Sequence, residues 1–244
     1  MSSSVRSKEV KKFGKNYVAA KNKLLKLAPS GLVESINHGI DTLKDVKYAK
    51  FDETLELTIR LGVDPKRSDQ TVRGVADMPS GTGKKVRVAV LCESNLIQDA
   101  IKAGADLHDS VEIISEIEKS QIKFDILIAT PGFVGQIAKF AKILGPRGLM
   151  PNPKLGTVTK DVGAAVAKAK AGQVEYRSDK GANVMAGIGK ISFDTNKLML
   201  NVQSLLDAVI RSKPAESKGT YIKSMYLSTT NGLSVKLPNL EVSK

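Results

Sequence analysis

The strand pattern of this chain changes style twice, and that constrains its fold more than any single residue does. From Leu55 to Leu61, apolar Leu55, Leu57, Ile59 and Leu61 alternate with Glu56, Thr58 and Arg60. Such alternation predicts an antiparallel strand with one wet face. Beyond Pro79-Ser80-Gly81-Thr82-Gly83-Lys84 the pattern becomes Val86, Val88, Val90 and Leu91. That dense run suits a strand buried on both faces of a parallel sheet. After Gly172 the first style returns, in Val174-Glu175-Tyr176-Arg177 and again from Asn183 to Ile188. Neither outer half holds enough strands for a stable sheet alone. The expected architecture is therefore a discontinuous α+β outer domain, residues 1–81 and 173–244, with an antiparallel sheet and covering helices. Inserted in it is an α/β Rossmann-like domain with a parallel sheet, residues 82–172.

The remaining elements follow from periodicity and punctuation. Residues 7–26 predict a basic, partly amphipathic helix, and residues 31–45 a second helix capped by Ser30. In the middle of the chain, strands are expected at 86–91, 111–114 and 124–129. Helices are expected there at 94–103, from Thr130-Pro131 through Leu144, and at 161–171. A strand at 71–77 completes the first outer segment. In the second, residues 174–177 and 183–188 read as antiparallel strands about a turn containing Ser178-Asp179-Lys180-Gly181. A helix at 195–211, headed by Asp194 or Thr195, precedes strands at 221–228 and 233–237.

Charge points to the class of partner. The 244 residues carry a formal net charge of +13, which suits a polyanion. Residues 1–26 hold eight Lys or Arg against Glu9 and lack an apolar core segment. They predict an RNA-contacting arm and not a secretory signal, with only a weak likeness to a transit peptide. The single Cys92 cannot form an internal disulfide, which points to a reducing compartment. No apolar stretch approaches 18 residues, so no membrane helix is expected.

Catalytic patterns fail on inspection. Gly81-Thr82-Gly83-Lys84-Lys85 lacks the glycine and the hydroxyl of a phosphate loop and precedes a strand where such a loop follows one. Leu91-Cys92-Glu93-Ser94-Asn95 places an acid where a dinucleotide site needs room for pyrophosphate. His38 and His108 have no metal-ligand spacing, and no nucleophile has a matching base in the sequence. The chain reads as a non-enzyme that needs no cofactor and no metal.

RNA contact is the positive reading. Lys50-Phe51-Asp52-Glu53-Thr54 sets an aromatic beside a cation and a hydroxyl at a strand entrance. Arg177-Ser178-Asp179-Lys180 is a polar turn, and Ser228-Thr229-Thr230-Asn231-Gly232 supplies hydroxyls, an amide and a glycine that lets RNA approach the backbone. Irregular RNA is read with such groups, by stacking, base-edge hydrogen bonds and contacts to 2′-hydroxyls. A basic α/β module for a nucleotide or small molecule is the alternative. The stretch Gly145 to Thr157, with three prolines and three glycines, fits either a phosphate cradle with Arg147 and Lys154 or a rigid strut between the two halves.

That stretch also carries a resemblance. Lys142-Ile143-Leu144-Gly145-Pro146-Arg147-Gly148-Leu149-Met150-Pro151-Asn152-Pro153-Lys154, followed by Gly156-Thr157-Val158, resembles the signature of the L-one family of large-subunit ribosomal proteins, in its bacterial or organellar form. Leu61-Gly62-Val63-Asp64-Pro65, Ser68-Asp69-Gln70 and Lys218-Gly219-Thr220 extend the likeness, which spans about residues 10 to 237. It implies a two-domain member of the ribosome whose outer domain binds the mobile rRNA stalk near the tRNA exit site and helps deacylated tRNA leave. In bacteria it also implies repression of the protein's own mRNA. The implied localisation is the cytoplasmic ribosome, with an organelle as the alternative, and the implied state away from the ribosome is a monomer. Carried over by position, the RNA-facing residues are Lys50, Phe51, Thr54, Asp179, Lys180, Ser224, Thr230, Asn231 and Gly232. The family usually has Thr-Thr-Met-Gly where this chain reads Thr229-Thr230-Asn231-Gly232, so Asn231 replaces an apolar contact with a hydrogen-bonding one.

Overall fold

The computed structural model describes residues 14–217 and 219–238. Helix α1 (Lys15–Leu27) and helix α2 (Ile36–Val46) open the described chain. Strand β1 (Thr54–Leu61) buries Leu55, Leu57, Ile59 and Leu61, the apolar set of its alternation. Strand β2 (Arg73–Asp77) ends the first outer segment. Across the middle segment run β3 (Val88–Leu91), α3 (Ile97–Lys102), α4 (Ser110–Glu118), β4 (Ile126–Ala129), α5 (Val134–Ala138), α6 (Ala141–Leu144) and α7 (Val162–Ala171). The chain then forms β5 (Gln173–Arg177), β6 (Asn183–Lys190), α8 (Thr195–Arg211), β7 (Ile222–Thr229) and β8 (Ser234–Lys236).

The principal sheet has the order β6-β1-β7-β8, and all its pairings are antiparallel. Its central strand β1 comes from the first outer segment, and both of its neighbours come from the second. One face is covered by α2 and α8, whose Ile40, Leu43, Leu198, Val202 and Leu205 are buried with the apolar side of the sheet. A two-stranded antiparallel ribbon, β2 with β5, packs beside α8. This core draws on residues from Ala20 to Met78 and from Tyr176 to Leu237, and on none from the middle segment.

The middle segment has its own parallel pair, β3 with β4, extended by single bridges at Leu107 and Val158. All four residues of β3 are buried, as a strand covered on both faces requires. One cluster on this pair includes Ile113, Ile117, Phe124 and Leu144, and the other includes Val162, Val166 and Ala100. The two crossings between outer and middle segments meet at glycines. A Cβ on Gly172 (φ +107°) would lie 2.9 Å from Gly81 Cα. Buried Asn201 on α8 fastens the first crossing, accepting from the Ser80 amide at 3.0 Å and donating to the Gly81 carbonyl at 2.9 Å.

Four local expectations are corrected. Residues 111–114 are helical, within α4, because Asp109 caps the turn by accepting from the Val111 amide at 2.9 Å. Ser30 does not cap α2. Its hydroxyl accepts from Leu32, while Ser35 accepts from His38 at the start of that helix. The helix expected from Thr130 to Leu144 breaks into a 3₁₀ turn at Pro131–Phe133 and the short helices α5 and α6. Strands β5 and β6 do not pair as a hairpin. β5 joins β2 and β6 joins β1, with a single bridge between Ser178 and Val184. Much of the basic arm, residues 1–13, lies outside the described residues.

Candidate nucleic-acid interface

On the face of the principal sheet away from α2 and α8, Glu56, Arg60, Met185 and Tyr226 are exposed, and the predicted RNA-facing residues lie around this open face in two groups. The first group sits where β1 begins and β7 ends. The Thr54 amide donates to the Thr230 hydroxyl oxygen at 3.0 Å. Beneath this latch, the carboxylate of fully buried Glu53 accepts from the Asn231 amide at 2.9 Å. The Tyr48 hydroxyl donates to the Asn231 carbonyl, so the turn is held from both sides. Lys50 is exposed, and Phe51 is 49% exposed and lies outside the core. The neighbouring Asp52 carboxylate accepts from the Ser192 hydroxyl at 2.7 Å and ties this loop to the end of β6.

Gly232 has a reason internal to the protein. A Cβ there would lie 2.0 Å from the Thr229 hydroxyl oxygen. The close backbone approach expected for RNA is thus also required by the turn itself, whatever binds above it.

The second group lies at the other end of the sheet. Ser224 stands opposite Arg60, and Arg60 opposite Asn183. Asp179 accepts from the Gly181 amide at 2.8 Å and the Asn183 amide at 2.7 Å. These bonds, the Asn183 ones foremost, hold its carboxyl below the usual carboxylate range. Its carboxylate therefore organises the turn, and exposed Lys180, Arg60 and Arg177 present positive charge around it. Thr54 and Arg60 are six positions apart on β1, so about 20 Å separates the two groups.

Lys190 is a member of the first group that the linear pattern does not single out. Its ammonium donates to the Thr54 hydroxyl at 3.0 Å and to the Asp52 carbonyl at 3.3 Å. Only the pairing of Thr54 with Lys190 across the β1–β6 ladder brings it there. Tyr48 and Glu53 were likewise invisible as turn supports, since both bonds span more than 170 positions.

The proline-rich stretch belongs to the middle segment and is clasped to β4. Asn152 donates its amide to the Thr157 hydroxyl at 2.7 Å, and the Thr157 carbonyl accepts from the Ala129 amide at 2.9 Å. Leu149 and Met150 pack on the middle core, while Arg147 and Lys154 are exposed. Gly148, Leu149, Met150 and Leu155 face Thr54, Gly187 and Lys190 across a cavity of about 410 Å³. The stretch thus borders the first group from the opposite wall.

No group of three or more potential metal ligands occurs among the described residues, and no described helix is long and apolar enough to cross a membrane. Hydroxyls, an exposed aromatic and lysines around an open antiparallel sheet are the equipment of a nucleic-acid-contacting protein. The model of the Ribosomal protein L1p/L10e family matches residues 43–233, and the chain belongs to that family, one of ribosomal proteins and not of enzymes. It is similar to the large ribosomal subunit protein uL1 of Rickettsia canadensis (strain McKiel), 50% identical over 208 residues, which cover 85% of this chain and 87% of that one. The protein of that name from Orientia tsutsugamushi (strain Boryong) is 48% identical over 225 residues, covering 91% and 90%. The one from Rickettsia akari (strain Hartford) is 51% identical over 203 residues, covering 83% and 85%.

Proposed function

We propose that this protein is a structural constituent of the large ribosomal subunit that binds the mobile rRNA stalk near the tRNA exit site. The observation that carries the reading is the meeting of Phe51, Thr54, Lys190, Thr230 and Asn231 at one end of an open sheet, although the chain separates them by up to 180 positions. Family membership and the relatives' name, large ribosomal subunit protein, support it.

In this reading the outer segments, residues 1–81 and 173–244, are the RNA-binding domain, and residues 82–172 are an inserted domain. Thr230, Ser224 and the backbone at Gly232 contact ribose and phosphate, Phe51 packs beside a base or ribose, and Lys50 and Lys180 supply charge. By holding the stalk, the protein aids release of deacylated tRNA, and it represses its own translation by binding a similar fold in its mRNA. Its place is the ribosome of a bacterial cytoplasm or of an organelle, and away from the ribosome it is a monomer.

Filter binding to a stalk rRNA fragment tests the reading. Specific binding that falls steeply with salt is expected, because each neutralised phosphate releases a counterion. Footprints should persist on a folded protein lacking residues 82–172. Affinity for the stalk no higher than for unrelated RNA would defeat the assignment.

A further inference from the structure

The two groups of candidate residues leave the centre of the open sheet face without a role. One cross-strand row occupies it: Lys236 pairs with Tyr226, Tyr226 with Thr58, and Thr58 with Met185. All four project to the open side, because their strand neighbours Val235, Leu227, Leu57 and Val184 are buried on the covered side. A wet face of an antiparallel sheet is normally polar. Here Met185 is 54% exposed and Tyr226 is 38% exposed. No hydrogen bond engages the Tyr226 hydroxyl within the described protein, unlike those of Tyr48, Tyr176 and Tyr221.

We propose that Tyr226 and Met185 form a platform on which RNA lays an unpaired base or a ribose as it crosses the sheet between the two groups. The inference rests on the RNA-binding reading above. If RNA touches both Thr230 at one end and Lys180 or Ser224 at the other, it spans about 20 Å of sheet and passes over this row. Aromatic rings on an open sheet accept bases of any sequence by stacking. Met185 offers a polarizable apolar surface on the far side of β1. The backbone pairing of Tyr226 with Lys236 sets a cation beside the ring, suited to the phosphate of the same nucleotide.

Stalk rRNA binding by wild type, Tyr226→Ala, Tyr226→Phe and Met185→Ala tests this across a salt series. Tyr226→Ala should lose about tenfold or more in affinity, the scale of one lost stack. Its salt slope should stay unchanged because no phosphate contact goes. Tyr226→Phe should bind within about twofold of wild type, since the ring remains. Met185→Ala should fall between them, with thermal unfolding of all variants near wild type. A 2-aminopurine scan of the RNA should find one position whose fluorescence is quenched by wild type and not by Tyr226→Ala. If wild type binds the stalk and Tyr226→Ala binds equally well, the platform is wrong while RNA binding stands. If wild type fails to bind the stalk, the reading beneath it fails and the platform with it. A change in salt slope equal to a lost phosphate contact would make Tyr226 a backbone contact and overturn the stacking role.

Discussion

The Thr54 amide and the Thr230 side chain form a hydrogen bond of 3.0 Å across 176 positions, closing the end of the principal sheet where β1 starts and β7 finishes. The same hydroxyl approaches the Thr54 carbonyl at 3.4 Å. Thr230 is thus both a support of the site and a hydroxyl exposed on it. Thr230→Ala should weaken stalk RNA binding by roughly 1–3 kcal/mol and lower stability by about 0.5–1.5 kcal/mol. Thr230→Ser should restore most of both. Filter binding beside thermal unfolding separates the two effects, and unchanged affinity in Thr230→Ala would remove the residue from the interface.

Phe51 offers the cleaner separation, because half of it faces solvent and little of the core depends on it. Phe51→Ala should change stability by no more than about 0.5 kcal/mol. Affinity for the stalk should fall by roughly 1–3 kcal/mol. A large drop in unfolding temperature without loss of binding would make the ring a packing residue instead.

Gly232 and Thr229 are predicted to be coupled. The new methyl of Gly232→Ala would overlap the Thr229 hydroxyl oxygen, costing about 1–3 kcal/mol. Removing that oxygen in Thr229→Ala/Gly232→Ala should recover a substantial part. A double-mutant cycle on chemical denaturation measures the coupling, and strict additivity would contradict the overlap.

Asp179 gives a pH dependence of defined sign. Its carboxyl titrates below its ordinary value because Asn183 and Gly181 donate to the ionised form. A group depressed in this way stabilises the fold above its unfolded pKa of about 3.9. That contribution disappears as the pH falls through the lower folded value. Asp179→Asn should therefore unfold at a lower temperature than wild type at neutral pH. The gap should narrow as the pH drops below about 4. A gap that widens in acid would reverse the sign and refute the role of the carboxylate.

Asn201 should be costly to lose. Its buried side chain serves the Ser80 amide and the carbonyls of Gly81 and Ile188, and none of these finds a substitute in alanine. Asn201→Ala should destabilise the protein by about 1–3 kcal/mol for each group left buried and unpaired. Limited proteolysis should show the first crossing opening, and a wild-type cleavage pattern would count against it.

Alternation alone located β1 and its buried side, since a period of two leaves one answer to which side is wet. The run around Val88 was legible because burial on both faces leaves no polar alternation, and α8 because its apolar residues recur at the 3.6-residue spacing of a helix. The misread elements are local contests of similar strength. Val111 to Ile114 has the composition of a strand, and Asp109 turned it into a helix by capping. Val174 to Arg177 and Asn183 to Ile188 look like one hairpin, yet each found a better partner in β2 and β1, from the first outer segment.

For the candidate site, the chain by itself determined the residue types, namely the aromatic, hydroxyls and lysines beside strand ends. Its long motif around Gly145 to Thr157 determined the family. Tertiary structure decided the rest. It put Lys190 on Thr54, Glu53 beneath Asn231, and Tyr226 in one row with Met185. These placements depend on strand order and register, which are set by burying the whole apolar face of the sheet at once. No local window of sequence contains that energy.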